Sequence, residues 1–440
     1  MSIEGVLNQI EHNLETTPLR QSYGKVTQVI GSVIHGVVSG VKMGEICTLR
    51  TPDEKDLTAE VVGLSDGHAV LFPYHEIEGV SEKTKIIPTG NTHKVKVGPG
   101  LLGKVLDGFG KPIDGTLFIE GIARNVKSQA PNPLDRQLCN QVLSTGVKAI
   151  DGLLTVAKGQ RMGIFAAPGI GKSSLLSMLA KGVNSDVLVI AMIGERGREV
   201  REFIEHAIPE EVREKTIIIV ATSDKSAMER VKAAEIATTI AESFRDDGKH
   251  VLFLMDSITR FARSLREIGL SAGEPPTRRG FPPSVFRELP RLVERTGPGA
   301  KGVISAFYSV LVEGDDMNEP VADEVKSLLD GQITLSAKLA AEGHYPAIDI
   351  GSSISRVMPK IISEEHLRQS QRFRTLLAKY EDIRLLHNIG EYKEGTCADS
   401  DAAIQLKPKM DAFLKQPLED LVNFDEIAQA MRGIVENEMG

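Results

Sequence analysis

The chain has 440 residues, with 52 basic and 60 acidic side chains, a formal net charge of −8, and 41% hydrophobic residues. This balance excludes wholesale disorder and argues against a chain devoted to blanket binding of phosphate backbones; at ~150 residues per domain it suggests about three domains. Three cysteines, Cys47, Cys139 and Cys397, are far apart and odd in number. They form no disulfide framework and no metal spacing, so free thiols in a reducing compartment are expected. No apolar stretch approaches the ~18 residues of a membrane span. The N-terminal MSIEGVLNQIEHNLE lacks a basic flank before an apolar core, so no signal peptide is expected.

Ile3, Val6, Leu7, Ile10 and Leu14 recur at helical spacing, which predicts a short amphipathic helix over 3–15. Short β-rich runs follow at 25–34, 45–49, 59–63 and 69–73, separated by Gly, Pro and Asp turns. Their spacing predicts a small barrel or sandwich. Residues 101–114 read as a Gly-rich turn segment and 130–135 as a linker. From about 137 to 355, β-branched runs (161–166, 186–193, 216–222, 251–256, 302–310, 331–335) alternate with helical segments (173–182, 226–246, 283–296). That order predicts a mostly parallel sheet covered by helices. Beyond 363 the pattern is helical to the end.

The sharpest feature is AAPGIGKS, comprising Ala166, Ala167, Pro168, Gly169, Ile170, Gly171, Lys172 and Ser173. A strand enters it and a helix leaves it, the context in which backbone N–H groups and a helix N-terminus cradle phosphates. In that pattern Lys172 reaches the β/γ-phosphates of a nucleotide and Ser173 offers its hydroxyl to Mg²⁺. The run VLFLMD ends a buried strand in Asp256, which can hold the Mg²⁺ shell opposite Ser173 or simply cap the next helix. GERGREV follows the strand 186–193. Its Glu195 is the candidate for polarising an attacking water, with Arg196 and Arg198 as nearby support. On composition alone that loop reads better as a solvated charged turn. Arg356 in GSSISRV suits an arginine supplied to a neighbouring subunit's phosphoryl group, or a structural ion pair. Tyr345, flanked by Pro346, can stack on a base or pack.

Taken together, AAPGIGKSSLL, IGERGREVREF, LFLMDSITRFARSLREIG, AGEPPTRRGFPPSVF, RLVERTG, GDDMNEPVADEVKSLLDGQI and YPAIDIGSSISRV resemble the ATPases of bacterial type III secretion and flagellar export. These are relatives of the rotary ATP synthase catalytic subunit. The resemblance runs from about residue 20 to the C-terminus and includes IGEYKEG and FLKQ. It implies an N-terminal segment over 1–20, a β-barrel over 21–97, an α/β RecA-like ATPase domain over 98–362 and a C-terminal helical domain over 363–440. It implies a cytoplasmic homohexamer, peripheral at the inner membrane, with ATP between subunits. Lys172, Ser173, Ser174 and Asp256 would hold Mg-ATP with the rest of the phosphate loop, and Glu195 would activate water. Arg196 and Arg260 match basic positions beside the site. Arg356 matches the arginine finger and Tyr345 the aromatic beside adenine. The loop 269–280 would face the ring axis. The hairpin 380–399 would meet a central coiled-coil stalk and chaperone-bound cargo. The N-terminal helix would meet a stator dimer that represses activity and tethers the ring at the export gate. Pro168 departs from the Ser common in this loop and removes one N–H from the phosphate cradle.

Three other readings compete. A rotary ATP synthase subunit would need a different partner subunit, whereas this chain carries both Glu195 and Arg356 and can complete sites with copies of itself. A ring-shaped RNA translocase would show aromatics for stacking single strands in its N-terminal domain. Residues 20–97 hold only Tyr23, Phe72 and Tyr74, so no nucleic acid partner is expected. A non-catalytic nucleotide-binding protein has no use for Glu195.

Overall fold

The computed structural model describes residues 22–65, 67–113, 115, 120–312 and 317–436. The helix expected over 3–15 lies outside the described residues. Strands β1 (Gly24–Ile30), β2 (Val33–Val37), β3 (Glu45–Arg50), β4 (Asp56–Ser65), β5 (His68–Pro73) and β6 (Lys85–Thr92) close into a barrel in the order β1-β2-β5-β4-β3-β6. The apolar run 25–34 is thus two strands, because Gly31 turns the chain at φ 57°. Cys47, Leu49, Ala59, Leu71 and Ile86 fill the interior at 0% exposure. Burial pushes the Cys47 thiol up to about 12, which leaves it unreactive. All three cysteines are unpaired.

β7 (Lys94–Val97) alternates like another barrel strand but pairs instead with β9 (Ile122–Asn125). The segment 101–114 is more than a turn, since β8 (Val105–Asp107) joins the edge of the main sheet beside the strand Thr216–Ala221. Only then does the chain turn, with Asp107 Oδ1 accepting from the N–H groups of Phe109 and Lys111 at 2.9 and 2.8 Å. The segment 130–135 contains a short 3-10 turn, Pro133–Asp135.

The main sheet runs β19-β18-β12-β17-β15-β13-β14-β8. Its members are β12 (Arg161–Ala166), β13 (Val187–Ile193), β14 (Thr216–Ala221), β15 (His250–Asp256), β17 (Val303–Leu311), β18 (Gly331–Leu335) and the antiparallel edge β19 (Ile348–Ser355). Short pairings join β10 (Val142–Leu143) to β11 (Val156–Ala157) and β16 (Gly297–Pro298) to β17. Every residue of β13 and β14 is buried, as strands covered by helices on both faces require. The helix Ala227–Asp246 covers one face, capped by Ser226 Oγ accepting from Glu229 N at 3.1 Å.

The C-terminal helices Glu364–Asn388, Ala398–Leu414 and Phe424–Glu436 share a core with the sheet. Phe373, Leu376, Met410 and Met431 pack in one cluster with Ile150 and Leu153. His366 Nε2 meets the Gly152 carbonyl at 2.9 Å. The barrel forms one compact unit, and the sheet with the C-terminal helices another.

Candidate active site

β12 ends at Ala166, and the chain then loops through Pro168 and Gly169, both exposed, to the helix Lys172–Gly182. Gly169 and Gly171 take φ of 83° and 96°, a left-handed backbone that side-chain-bearing residues rarely adopt. A Cβ on Gly171 would also lie 3.4 Å from the ring of Tyr345. Ile170, at 7% exposure, pins the middle of the loop into the core. The helix therefore opens its first N–H groups toward solvent beneath a fixed loop, the geometry of an anion cradle.

The strands on either side deliver two carboxylates. β13 ends one residue before Gly194, and Glu195 follows; Asp256 ends β15. Both are nearly buried, at 8% and 5% exposure. The Lys172 ammonium donates to Asp256 Oδ1 and, at 3.5 Å, to Glu195 Oε1. Burial pulls the Lys172 pKa down, but the Asp256 and Glu195 charges overrule it and hold it above the ordinary lysine value. Glu195 is raised above the usual carboxylate range, chiefly by burial and then by the Asp256 charge; Lys172 and Arg260 act against the rise. The Arg260 stem lies 3.1 Å from where a Cβ on Gly194 would sit, so Gly194 (φ 71°) makes room for it. Its Nε is buried with no hydrogen-bond partner among the described residues.

Ser309, on β17, escapes the sequence reading. Its hydroxyl donates to Asp256 Oδ1 at 2.6 Å. The available signal was one polar residue inside the apolar run FYSVL. Asp256 Oδ2 and the exposed Ser173 hydroxyl make no hydrogen bond among the described residues. Two open hard-oxygen donors facing a phosphate cradle suit Mg²⁺.

Tyr345 stands beside the loop with its side chain half exposed at 46%, an aromatic face available to a base. Arg196 is not drawn into the cluster. Its side chain is 77% exposed and pairs at 3.4 Å with Glu199. Arg356 lies at the other end of the sheet. Ser355 sits opposite Gly331 on β18, and β18 runs beside β12 with Gln332 opposite Gly163. Arg356 therefore follows β19 at the start of β12, roughly 15 Å from the phosphate loop at its end. Its exposed guanidinium has no partner among the described residues. The loop 166–173 of its own chain is out of its reach.

The sequence matches the ATP synthase alpha/beta family in its beta-barrel domain over 26–90 and in its nucleotide-binding domain over 146–355. It matches the T3SS EscN ATPase C-terminal domain over 362–433. It is 48% identical over 430 residues to the type 3 secretion system ATPase of Xanthomonas euvesicatoria, covering 97% of each chain. The chain belongs to the type III secretion and flagellar export ATPase family. To the flagellum-specific ATP synthase of Bacillus subtilis (strain 168) this export ATPase is 46% identical, across 97% of its own length and 98% of that protein. Its fold superposes on the assembled ATPase EscN of the enteropathogenic E. coli type III secretion system with a TM-score of 0.90 and 42% identity, covering 94% of this chain and 100% of that one. EscN has also been solved with its central stalk EscO, at a TM-score of 0.86. The expected barrel, RecA-like core and helical C-terminal domain are all present. Among the described residues no helix is long and apolar enough to cross a membrane.

Proposed function

We propose that this export ATPase hydrolyses Mg-ATP at sites shared between copies of itself in a homohexameric ring, and that turnover energises protein export through a type III secretion system, injectisome or flagellar. The observation that carries this reading is the Lys172–Glu195–Asp256 cluster at the mouth of the phosphate loop. When nucleotide binds, Lys172 turns from the carboxylates to the β/γ-phosphates, and the backbone from Ala166 to Ser174 cradles them. Ser173 and Asp256 would hold Mg²⁺, which would supply positive charge against the phosphates. Glu195, freed of the ammonium, orients and deprotonates the attacking water. Arg356 of the neighbouring copy stabilises the transferring phosphoryl group, which its distance from the chain's own loop supports. Arg196 turns from its weak, exposed pair with Glu199 to add positive charge, and the base stacks on Tyr345.

Domain limits at about 20, 97 and 362 belong to the same proposal, supported by the separate matches over 26–90 and 362–433. Leu385 and Ile389, exposed by 72% and 60% at the end of the helix Glu364–Asn388, suit contact with a central coiled-coil stalk. A stator dimer at the N-terminus, the export gate and chaperone–cargo complexes complete the proposed partners, with the ring cytoplasmic and peripheral at the inner membrane. The match of the C-terminal domain to export ATPases favours this over a rotary ATP synthase subunit.

The test is the ATP hydrolysis rate per subunit against protein concentration, with Mg²⁺. A steep rise that tracks assembly is expected. A flat, negligible rate with ATP still bound would mean that copies of this chain do not complete the site.

A further inference from the structure

Arg356 is exposed, yet the backbone that carries it is held by buried polar groups that the reaction itself does not use. Gln160, at 0% exposure, immediately precedes β12. Its Oε1 accepts from Ala157 N at 2.8 Å. Its Nε2 donates to the Asp330 carbonyl at 3.2 Å and to Ser355 Oγ at 3.1 Å. That same Asp330 carbonyl accepts from Arg356 N at 3.0 Å. Ser355 Oγ in turn donates to the Thr155 carbonyl at 2.9 Å. One amide therefore holds the residue before Arg356 and the carbonyl that anchors Arg356 itself. Asp330 is fixed from its other end, where the carboxylate accepts from Arg161 N at 3.0 Å and Arg161 Nε at 3.1 Å.

We propose that Gln160 is a positioning residue for hydrolysis: through Asp330 and Ser355 it fixes the backbone from which Arg356 reaches the ATP of a neighbouring copy. A long side chain crossing a subunit boundary can meet a transition state only if its Cα is held still, and a displacement of ~1 Å costs up to about 10²-fold in rate. A carbonyl shared by Gln160 and Arg356 transmits any shift of β12 directly to that Cα. The inference rests on the reading of Arg356 as the arginine given to a neighbour.

The experiment is a double-mutant cycle on the full chain. Gln160→Met keeps length and burial but removes the amide; Ser355→Ala, a smaller change, removes the other side of the same bond. Each is measured alone and with Arg356→Ala for kcat and KM, for Mg-ADP affinity, for thermal melting and for assembly by sedimentation. The expected result is a fall in kcat of up to about 10²-fold for Gln160→Met, with a smaller fall for Ser355→Ala and KM and ADP affinity close to those of the parent. Either change should then do nothing further in the Arg356→Ala background, because the group it positions is gone. An equal fall in both backgrounds would make Gln160 merely structural and overturn the proposal. So would folded, assembled variants of full activity. If Arg356→Ala alone kept parental turnover, the arginine-finger reading would fall and this inference with it; a slow Arg356→Ala beside an undiminished Gln160→Met would remove only the inference.

Discussion

The two ends of the main sheet use polar residues in opposite ways. At the carboxyl ends of β12, β13 and β15, charge is gathered and left incomplete. Lys172 spans two carboxylates, Asp256 keeps an oxygen open, and Arg260 buries an unpaired Nε. At the start of β12, charge and amide groups are closed off. Arg161 engages Glu294 at 2.7 Å and Asp330 at 3.1 Å, and Gln160 uses both ends of its amide. Burying unsatisfied polar groups costs free energy, so a fold tolerates it where a ligand will supply the partners. On the proposed function, the open end receives phosphates and a cation. The closed end is built to hold something in place, and the exposed Arg356 beside it is what it holds.

Changes at the open end should stop chemistry while sparing the fold. The largest effect belongs to Lys172→Ala, which should abolish ATP turnover while the protein melts cooperatively; robust hydrolysis by this variant would defeat the phosphate-loop assignment. Next is Arg356→Ala, expected to assemble but to lose about 10³–10⁵ in rate, as removal of such an arginine does in related chemistry. Mixing it with Glu195→Gln subunits should restore part of the activity, because some interfaces then regain both groups. Absence of recovery in rings shown to be mixed would argue that the arginine does not act across the boundary.

Ser309→Ala sharpens the comparison on a smaller scale. Among the described residues its bond to Asp256 is the only hydrogen bond to that carboxylate besides that of Lys172, and loss of one hydrogen bond to a charged group is worth ~1.5 kcal/mol, or about tenfold in kcat/KM. A parental kcat/KM would mean that Asp256 is held by its strand alone.

Legibility in the sequence follows the same division. Residues of the open end announce themselves because each stands at a strand end, in a loop or at a helix start: AAPGIGKS, the Asp after VLFLM, the Glu after the strand ending at Ile193. The closed end is assembled from residues far apart in the chain, Gln160 with Ser355 and Arg161 with Asp330. Each looks on its own like an ordinary polar residue at a strand boundary. Pairing across a sheet is not written in local periodicity, which is also why KVKV at β7 reads as barrel when its partner is β9, and why β8 hides in front of a Gly-rich turn. Ser309 was hidden differently, by an apolar strand that reads as core throughout.

The smallest expected effect is a displacement along the pH axis. In the free protein Glu195 is held above the usual carboxylate range by burial and by Asp256, and the Arg260 charge pulls it back down. A general base must be ionised, so activity falls on the acid side as Glu195 takes up its proton, and the acid limb of kcat/KM reports that group in the free enzyme. Replacing Arg260 by Met keeps an apolar stem against Gly194 but removes the charge. The opposition to protonation weakens, the Glu195 pKa rises further, and the acid limb moves to higher pH. The readout is the limb's position, which is independent of any uniform loss of rate from the missing charge. A limb that stays in place or moves to lower pH would show that Glu195 is not the group titrating there.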